Sequence, residues 1–160
     1  MRRFGTKALA IIVLTALQAC SASGPKFVET APLPGQSLVH VYRTSRLFGS
    51  GNVFTIHVNG EAVTELGNGG YYSLSAAPGI LEFNAVRKIG FPLLTSAIDH
   101  AAMKDDIQLR LQTLPDAIYY VEFRQGFGSV RMEKIPPDKA LKSLRSLRQG
   151  KDLRGQSKER

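Results

Sequence analysis

The fourteen residues VFTIHVNGEAVTEL, positions 53 to 66, constrain this chain more than any other stretch. Apolar side chains at every second place on either side of Asn59-Gly60 describe two half-buried strands, because successive strand side chains point to opposite faces. Asn-Gly is the tightest joint for such strands: a type I′ turn needs positive φ at both central positions, which these two residues tolerate best. The spacing predicts an antiparallel hairpin, 53–58 against 61–66.

The same signature recurs along the chain. SLVHVYR (37–43) alternates and is separated from the hairpin by SRLFGSGN, whose two glycines read as a tight loop. After GNGG (67–70) come YYSLSA (71–76), a turn at Pro78-Gly79 and ILEFNAV (80–86), which predict a further pair. DIQLRLQ (106–112), AIYYVEF (117–123) and SVRMEKI (129–135) complete about eight strands. Short strands at even spacing with Gly and Pro turns indicate an all-β fold, a small antiparallel β-sandwich or barrel over 37–135. With 43% hydrophobic residues in a chain of 160, one packed domain is the expectation.

Two segments break the alternation. FPLLTSAIDHAAMK (91–104) sets Leu94, Ala97, Ile98 and Ala101 at helical spacing behind Pro92, which predicts a short inserted helix. PPDKALKSLRSLRQG (136–150) has leucines at 141, 144 and 147, a Pro-Asp start and Gly150 as a stop, which predicts an amphipathic helix. The polar residues 151–160 read as a disordered basic tail.

The lone cysteine, Cys20, closes the N-terminal pattern. MRRFGTK is a positive n-region, ALAIIVLTAL an apolar h-region, and small residues follow, so 1–19 reads as a secretory signal. The h-region is shorter than the roughly 20 residues a membrane span needs. LQAC, Leu17 to Cys20, resembles the bacterial lipobox. That resemblance implies cleavage between Ala19 and Cys20, diacylglycerol on the sulfur and a further acyl chain on the new amino terminus. Two or three acyl chains, at roughly 0.8 kcal/mol per buried methylene, hold a protein on a bilayer where one does so only marginally. The alternative is a secreted protein with a spare thiol. No second cysteine exists, so no disulfide supports the fold. Ser21 rather than Asp follows the cysteine, which by resemblance to a Gram-negative sorting rule points to the outer membrane. Residues 20–36, rich in Ser, Gly and Pro, read as the acylated cysteine and a flexible tether.

The formal charge of +8 suggests nucleic acid until it is divided along the chain. Three cations belong to the signal; residues 20 to 138 carry ten Lys and Arg against eleven Asp and Glu; residues 139 to 160 carry eight against Asp152 and Glu159. A basic end on a neutral body argues for a local contact, with anionic lipid or peptidoglycan as its object or with solvent alone. It lacks the interleaved aromatics of a single-strand binder, so nucleic acid is not an expected partner.

Residues 41 to 79, VYRTSRLFGSGNVFTIHVNGEAVTELGNGGYYSLSAAPG, resemble the core of the uncharacterised bacterial lipoprotein family known as domain of unknown function 2846. Tyr42 and Arg43 in the first strand carry the likeness, with the Gly49 and Gly51 loop, Asn59, Gly60, Gly69, Tyr71, Tyr72, Pro78, Gly79 and the later pair Tyr119 and Tyr120. The resemblance implies an immunoglobulin-like or prealbumin-like sandwich on a lipid anchor and brings no activity with it. The chain departs from it at TLPDA (113–117), where a Gly-containing turn is expected, and in the added segment 91–104.

Candidate chemistry is sparse. His40, His57 and His100 are the only histidines. If the strands of His40 and His57 are neighbours, the two rings would meet and hold a metal or serve a hydrolase; otherwise both lie on the solvent face. No Gly-x-Ser-x-Gly elbow is present, and GNGG lacks the lysine of a phosphate loop. Asp105-Asp106 would point to opposite faces of a strand. In each tyrosine pair one ring should enter the core while the other packs across strands or offers a flat face to a glycan or peptide. The expectation is a lipid-anchored, non-catalytic binding or scaffold module without a cofactor. Its partners would be the membrane through Cys20 and envelope proteins or peptidoglycan.

Overall fold

A computed structural model describes residues 22–88, 108–126 and 129–154. The signal 1–19, Cys20, the expected helix over 91–104, His100, Asp105-Asp106 and residues 155–160 lie outside the described residues. The strands are β1 (Ser37–Tyr42), β2 (Val53–Val58), β3 (Glu61–Leu66), β4 (Gly70–Ala76), β5 (Gly79–Lys88), β6 (Leu109–Thr113), β7 (Ile118–Gln125) and β8 (Val130–Lys134). One helix, α1 (Pro137–Leu144), precedes two short strands, β9 (Arg148–Gln149) and β10 (Lys151–Asp152).

They form a small β-sandwich of two five-stranded sheets, ordered β8-β7-β1-β4-β9 and β10-β3-β2-β5-β6. Val39, Val41, Tyr72, Leu74, Val121 and Phe123 of the first sheet pack against Phe54, Ile56, Leu66, Leu81 and Phe83 of the second. The expected hairpin is present: β2 and β3 pair antiparallel, with Asn59 at φ 51° and Gly60 at φ 81°. A register shift between Ile56 and His57 puts a bulge in it.

The pair expected across Pro78-Gly79 does not form. β4 pairs with β1 and β5 with β2, so residues 77–78 carry the chain from one sheet to the other. A short turn serves a hairpin and an inter-sheet corner alike, and its residues do not distinguish them. The first sheet is also mixed rather than purely antiparallel, because β1 runs parallel to β7 and β4 to β9. Within TLPDA (113–117), Asp116 takes the positive φ, 57°, that a glycine would hold, and its carboxylate accepts the Gly35 N–H at 2.7 Å.

α1 is shorter than the helix expected over 136–150. At 3.6 residues per turn, leucines three apart fall about 60° short of one full turn at each step, so along a straight helix the apolar stripe drifts steadily away from the surface it starts on. The chain instead ends the helix at Leu144 and tightens, with Leu147 N–H donating to Leu144 O at 2.9 Å, which buries both side chains. Of the tail expected over 151–160, the described part, residues 151–154, is not loose, and neither are residues 148–150 before it. β9 lies along β4, the chain crosses at Gly150, and β10 lies along β3 of the other sheet, a strap over both edges where the sandwich passes from β3 to β4.

The segment expected as a flexible tether packs onto the domain from Ala22 onward. Lys26 bridges to Arg148, the Phe27 ring meets Tyr71 edge-on at 5.3 Å between centroids, and Asp116 N–H donates to Gln36 O at 2.8 Å. One aromatic ring and a few backbone bonds suffice to lay it along the sandwich. Among the described residues no helix is long and apolar enough to cross a membrane.

Candidate functional site

Arg43 organises one end of the sandwich. It follows β1, is 4% exposed, and donates from Nη1 to Asn52 O at 2.6 Å and from Nη2 to Gly49 O at 2.7 Å and Gln125 Oε1 at 3.2 Å. Its guanidinium also lies 5.4 Å from the centre of the Phe54 ring. One side chain thus ties the 44–52 loop to the end of β7, and Gly49, at φ 71°, offers its carbonyl to it. Arg43→Met keeps the apolar stem and removes the charged fork. Leaving these acceptors to water should lower stability by about 1–2 kcal/mol, read from denaturant unfolding. A midpoint equal to that of the wild type would remove Arg43 from this role.

Held this way, the loop presents Leu47 at 97% exposure and Phe48 at 52%, next to exposed Arg46. Asn68, in the β3–β4 turn, joins the loop to the start of the described chain: its Oδ1 accepts the Arg46 N–H at 3.0 Å and its backbone oxygen the Ala22 N–H at 3.3 Å. Gly69, at φ 69°, shapes that turn. The opposite end gathers Asn59-Gly60, residues 77–78 and 114–116, and Gly79 donates there to Thr113 Oγ1 at 3.1 Å.

The outer face of the first sheet is covered, which corrects the expectation of a solvent-facing His40. Tyr42, Tyr71 and Tyr120 form a second cluster with Ile135, Ala140, Leu144 and Leu147 beneath α1. His40 is fully buried beside it, edge-on to Phe27 at 5.1 Å and stacked on Tyr120 at 5.3 Å. Its Nδ1 lies 2.8 Å from Ser73 Oγ, and burial pulls its pKa down to about 4. The β1–β4 register sets His40 opposite Ser73. Sequence reading missed that pair because nothing local announces which strand is the neighbour.

His57 sits in β2, in the other sheet, on the side away from Ile56 and Val58. Both histidines point outward from opposite layers, so the structure does not bring them together as a metal pair or dyad. Among the described residues no group of three or more His, Cys, Asp or Glu side chains gathers. Tyr72 and Tyr119 belong to the main core and Tyr71 and Tyr120 to the second cluster, so both tyrosine pairs pack on both sides rather than offering an open ring. The Tyr72 hydroxyl donates to Asp152 Oδ1 at 3.0 Å and accepts from Arg154 Nε at 2.7 Å. Two cations of the basic end are thereby engaged in the fold, Arg154 here and Arg148 through Gly24 O at 3.3 Å. Lys139 and Lys142 on α1 and Arg145 just after it remain exposed.

A cleft of about 440 Å³ opens between the end of β1 and α1, lined by Tyr42, Arg46, Glu122, Arg124, Lys134 and Lys139 among others. Glu122 is 5% exposed and its Oε2 accepts from Arg124 Nη2 at 2.6 Å and Nε at 2.9 Å. Burial, then the Glu122 charge, pushes the Tyr42 hydroxyl up to about 12. Arg124 pairs with both acids of the lining, Glu122 and, at 3.7 Å, Glu133, and Arg46, Lys134 and Lys139 add three further cations. Such a cleft can hold a polar or anionic group, and no histidine stands in it to activate Ser143.

Among the described residues the fold and these surfaces define a β-sandwich that carries a polar cleft and an apolar loop tip. No family model, no curated protein and no solved structure matches the chain.

Proposed function

We propose that this chain is a lipid-anchored cell-envelope module, acylated on Cys20 after removal of residues 1–19, that acts by binding or scaffolding rather than by catalysis. The periplasmic face of the outer membrane is its proposed address, following Ser21. The observation that carries the reading is the joint at Ala22: the chain two residues after Cys20 is already bonded to Asn68, so whatever holds the cysteine holds the sandwich itself. The resemblance of LQAC to a lipobox and of 41–79 to a lipoprotein family supports the same conclusion. The cleft over Glu122 and Arg124 is the proposed place for a polar or anionic envelope partner.

Cys20→Ser tests the anchor. The wild type should pellet with membranes and incorporate labelled palmitate; the variant, exported behind an ordinary cleavable secretory signal in place of residues 1–19, should take up no label and move almost wholly to the soluble fraction, since losing the acyl chains removes the greater part of the bilayer affinity. Its melting temperature should not change, because both clusters of the described core are built without Cys20. Equal partitioning of the two proteins would sink the anchor. Crosslinking followed by recovery from envelopes tests the module, which fails if Lys134→Glu/Lys139→Glu recovers the same proteins or glycans as the wild type.

A further inference from the structure

We infer that the end of the sandwich carrying Arg46, Leu47 and Phe48 is a membrane-contacting surface, and that the domain lies against the bilayer by this end rather than standing off it. The inference rests on lipid attachment at Cys20 and adds orientation to it.

The argument begins with chain length. Cys20 is two residues from Ala22, a span of at most about 7 Å even when fully extended. Ala22 is fixed to the backbone oxygen of Asn68, and the side-chain oxygen of the same asparagine fixes the backbone of Arg46. An acylated cysteine sits at the level of the lipid headgroups, a layer about 5–8 Å thick on each face of the bilayer. Its covalent reach therefore sets Asn68, and with it the residue preceding Leu47, at or just above that layer. Residues 22–36, which would otherwise let the domain drift away, are laid along the sandwich from Asn68 at this end to Asp116 at the other.

The side chains present there suit that position. Leu47, at 97% exposure, is the most exposed large hydrophobic side chain among the described residues, and Phe48 beside it is half exposed. Arg46 supplies a cation of the kind that anionic headgroups accept. Arg43 holds the loop from below through two backbone carbonyls, so the tip is presented rather than collapsed onto the core. The acyl chains already supply affinity, and the loop's contribution is to fix which face of the sandwich is turned toward the envelope space. The cleft over Glu122 opens on the flank between this end and α1, where a partner moving along the membrane surface can reach it.

The chain contains no tryptophan, so a single one reports its own surroundings. Leu47→Trp and, as a reference at the far end, Leu114→Trp are placed in the full acylated lipoprotein; both positions are exposed and tolerate the ring. Each is reconstituted into vesicles of phosphatidylethanolamine and phosphatidylglycerol whose acyl chains are brominated, with intact mass confirming the lipid on Cys20. The expected result is a blue-shifted emission for Leu47→Trp and quenching severalfold stronger than for Leu114→Trp. Equal quenching, or none at either position, on protein that carries its lipid would overturn the orientation while leaving the anchor standing. Protein that carries no lipid would overturn both.

Discussion

Gly150→Ala should destabilise the fold by about 2–3 kcal/mol, the cost of forcing an atom into a packed interior, and lower the melting temperature by about 10 °C. A Cβ at this position would lie 2.6 Å from Glu65 O and 3.1 Å from Thr64 Oγ1, and the nearer obstacle is backbone, which cannot rotate away. Gly150 also donates its N–H to Tyr71 O at 2.8 Å, at the point where the strap leaves one sheet for the other. Lifting it strains the bonds that follow, Thr64 Oγ1 to Lys151 O at 2.7 Å and Tyr72 to Asp152. Gly51→Ala is the control, because nothing lies within 4 Å of the added atom there. Equal unfolding midpoints for the two alanine variants would mean that the strap contributes nothing to stability.

His40→Phe should change how stability responds to acid. The folded protein holds His40 near pKa 4, against an ordinary value of 6.5, because burial disfavours the imidazolium. Between those values the unfolded chain binds a proton that the folded chain refuses. The stabilisation is complete above about pH 6.5 and is lost as the pH falls toward 4, by about 3 kcal/mol in all. Phenylalanine keeps a ring between Phe27 and Tyr120 and cannot titrate, at the cost of the contact with Ser73 Oγ. Unfolding free energies measured across this range should therefore converge and shift in favour of the variant by about 3 kcal/mol. His57, whose pKa burial also lowers, and the carboxylates are present in both proteins and cancel in the difference. Parallel curves would show that His40 titrates as freely in the fold as outside it.

The parts of the fold legible in the sequence are those decided within a few residues. Alternation and turn chemistry place β1 to β8 nearly where they are, and Asn59-Gly60 fixes both the hairpin and its turn. What the chain does between elements is decided elsewhere. Whether Pro78-Gly79 closes a hairpin or crosses a corner depends on β1 and β2, which claim β4 and β5 first. The strap is illegible because Arg148, Gln149, Lys151 and Asp152 are all polar and carry no apolar alternation to announce a strand. His40 reads as a half-exposed strand residue until α1 and Phe27 are laid over its face. At the candidate membrane end, Leu47 and Phe48 stand in the sequence as loop residues just before Gly49 and Gly51. Their meaning comes from Asn68, which sets them beside the start of the chain.

The leader and the strap also bear on the order in which the molecule can be completed. Gly24 N–H donates to Gln149 O at 3.2 Å, Gln149 N–H to Pro25 O at 2.8 Å, and Phe27 N–H to Leu147 O at 3.3 Å, so residues near the beginning of the described chain are gripped by some of its last. Synthesis proceeds from the N terminus, and every bond in that grip waits for about 120 intervening residues to appear. Until then residues 24 to 27 have only their contacts with β1 and β4, Phe27 against His40 and Tyr71, to hold them. The last described residues then close over them, so the joint between the two ends of the described chain is completed as a late act of folding.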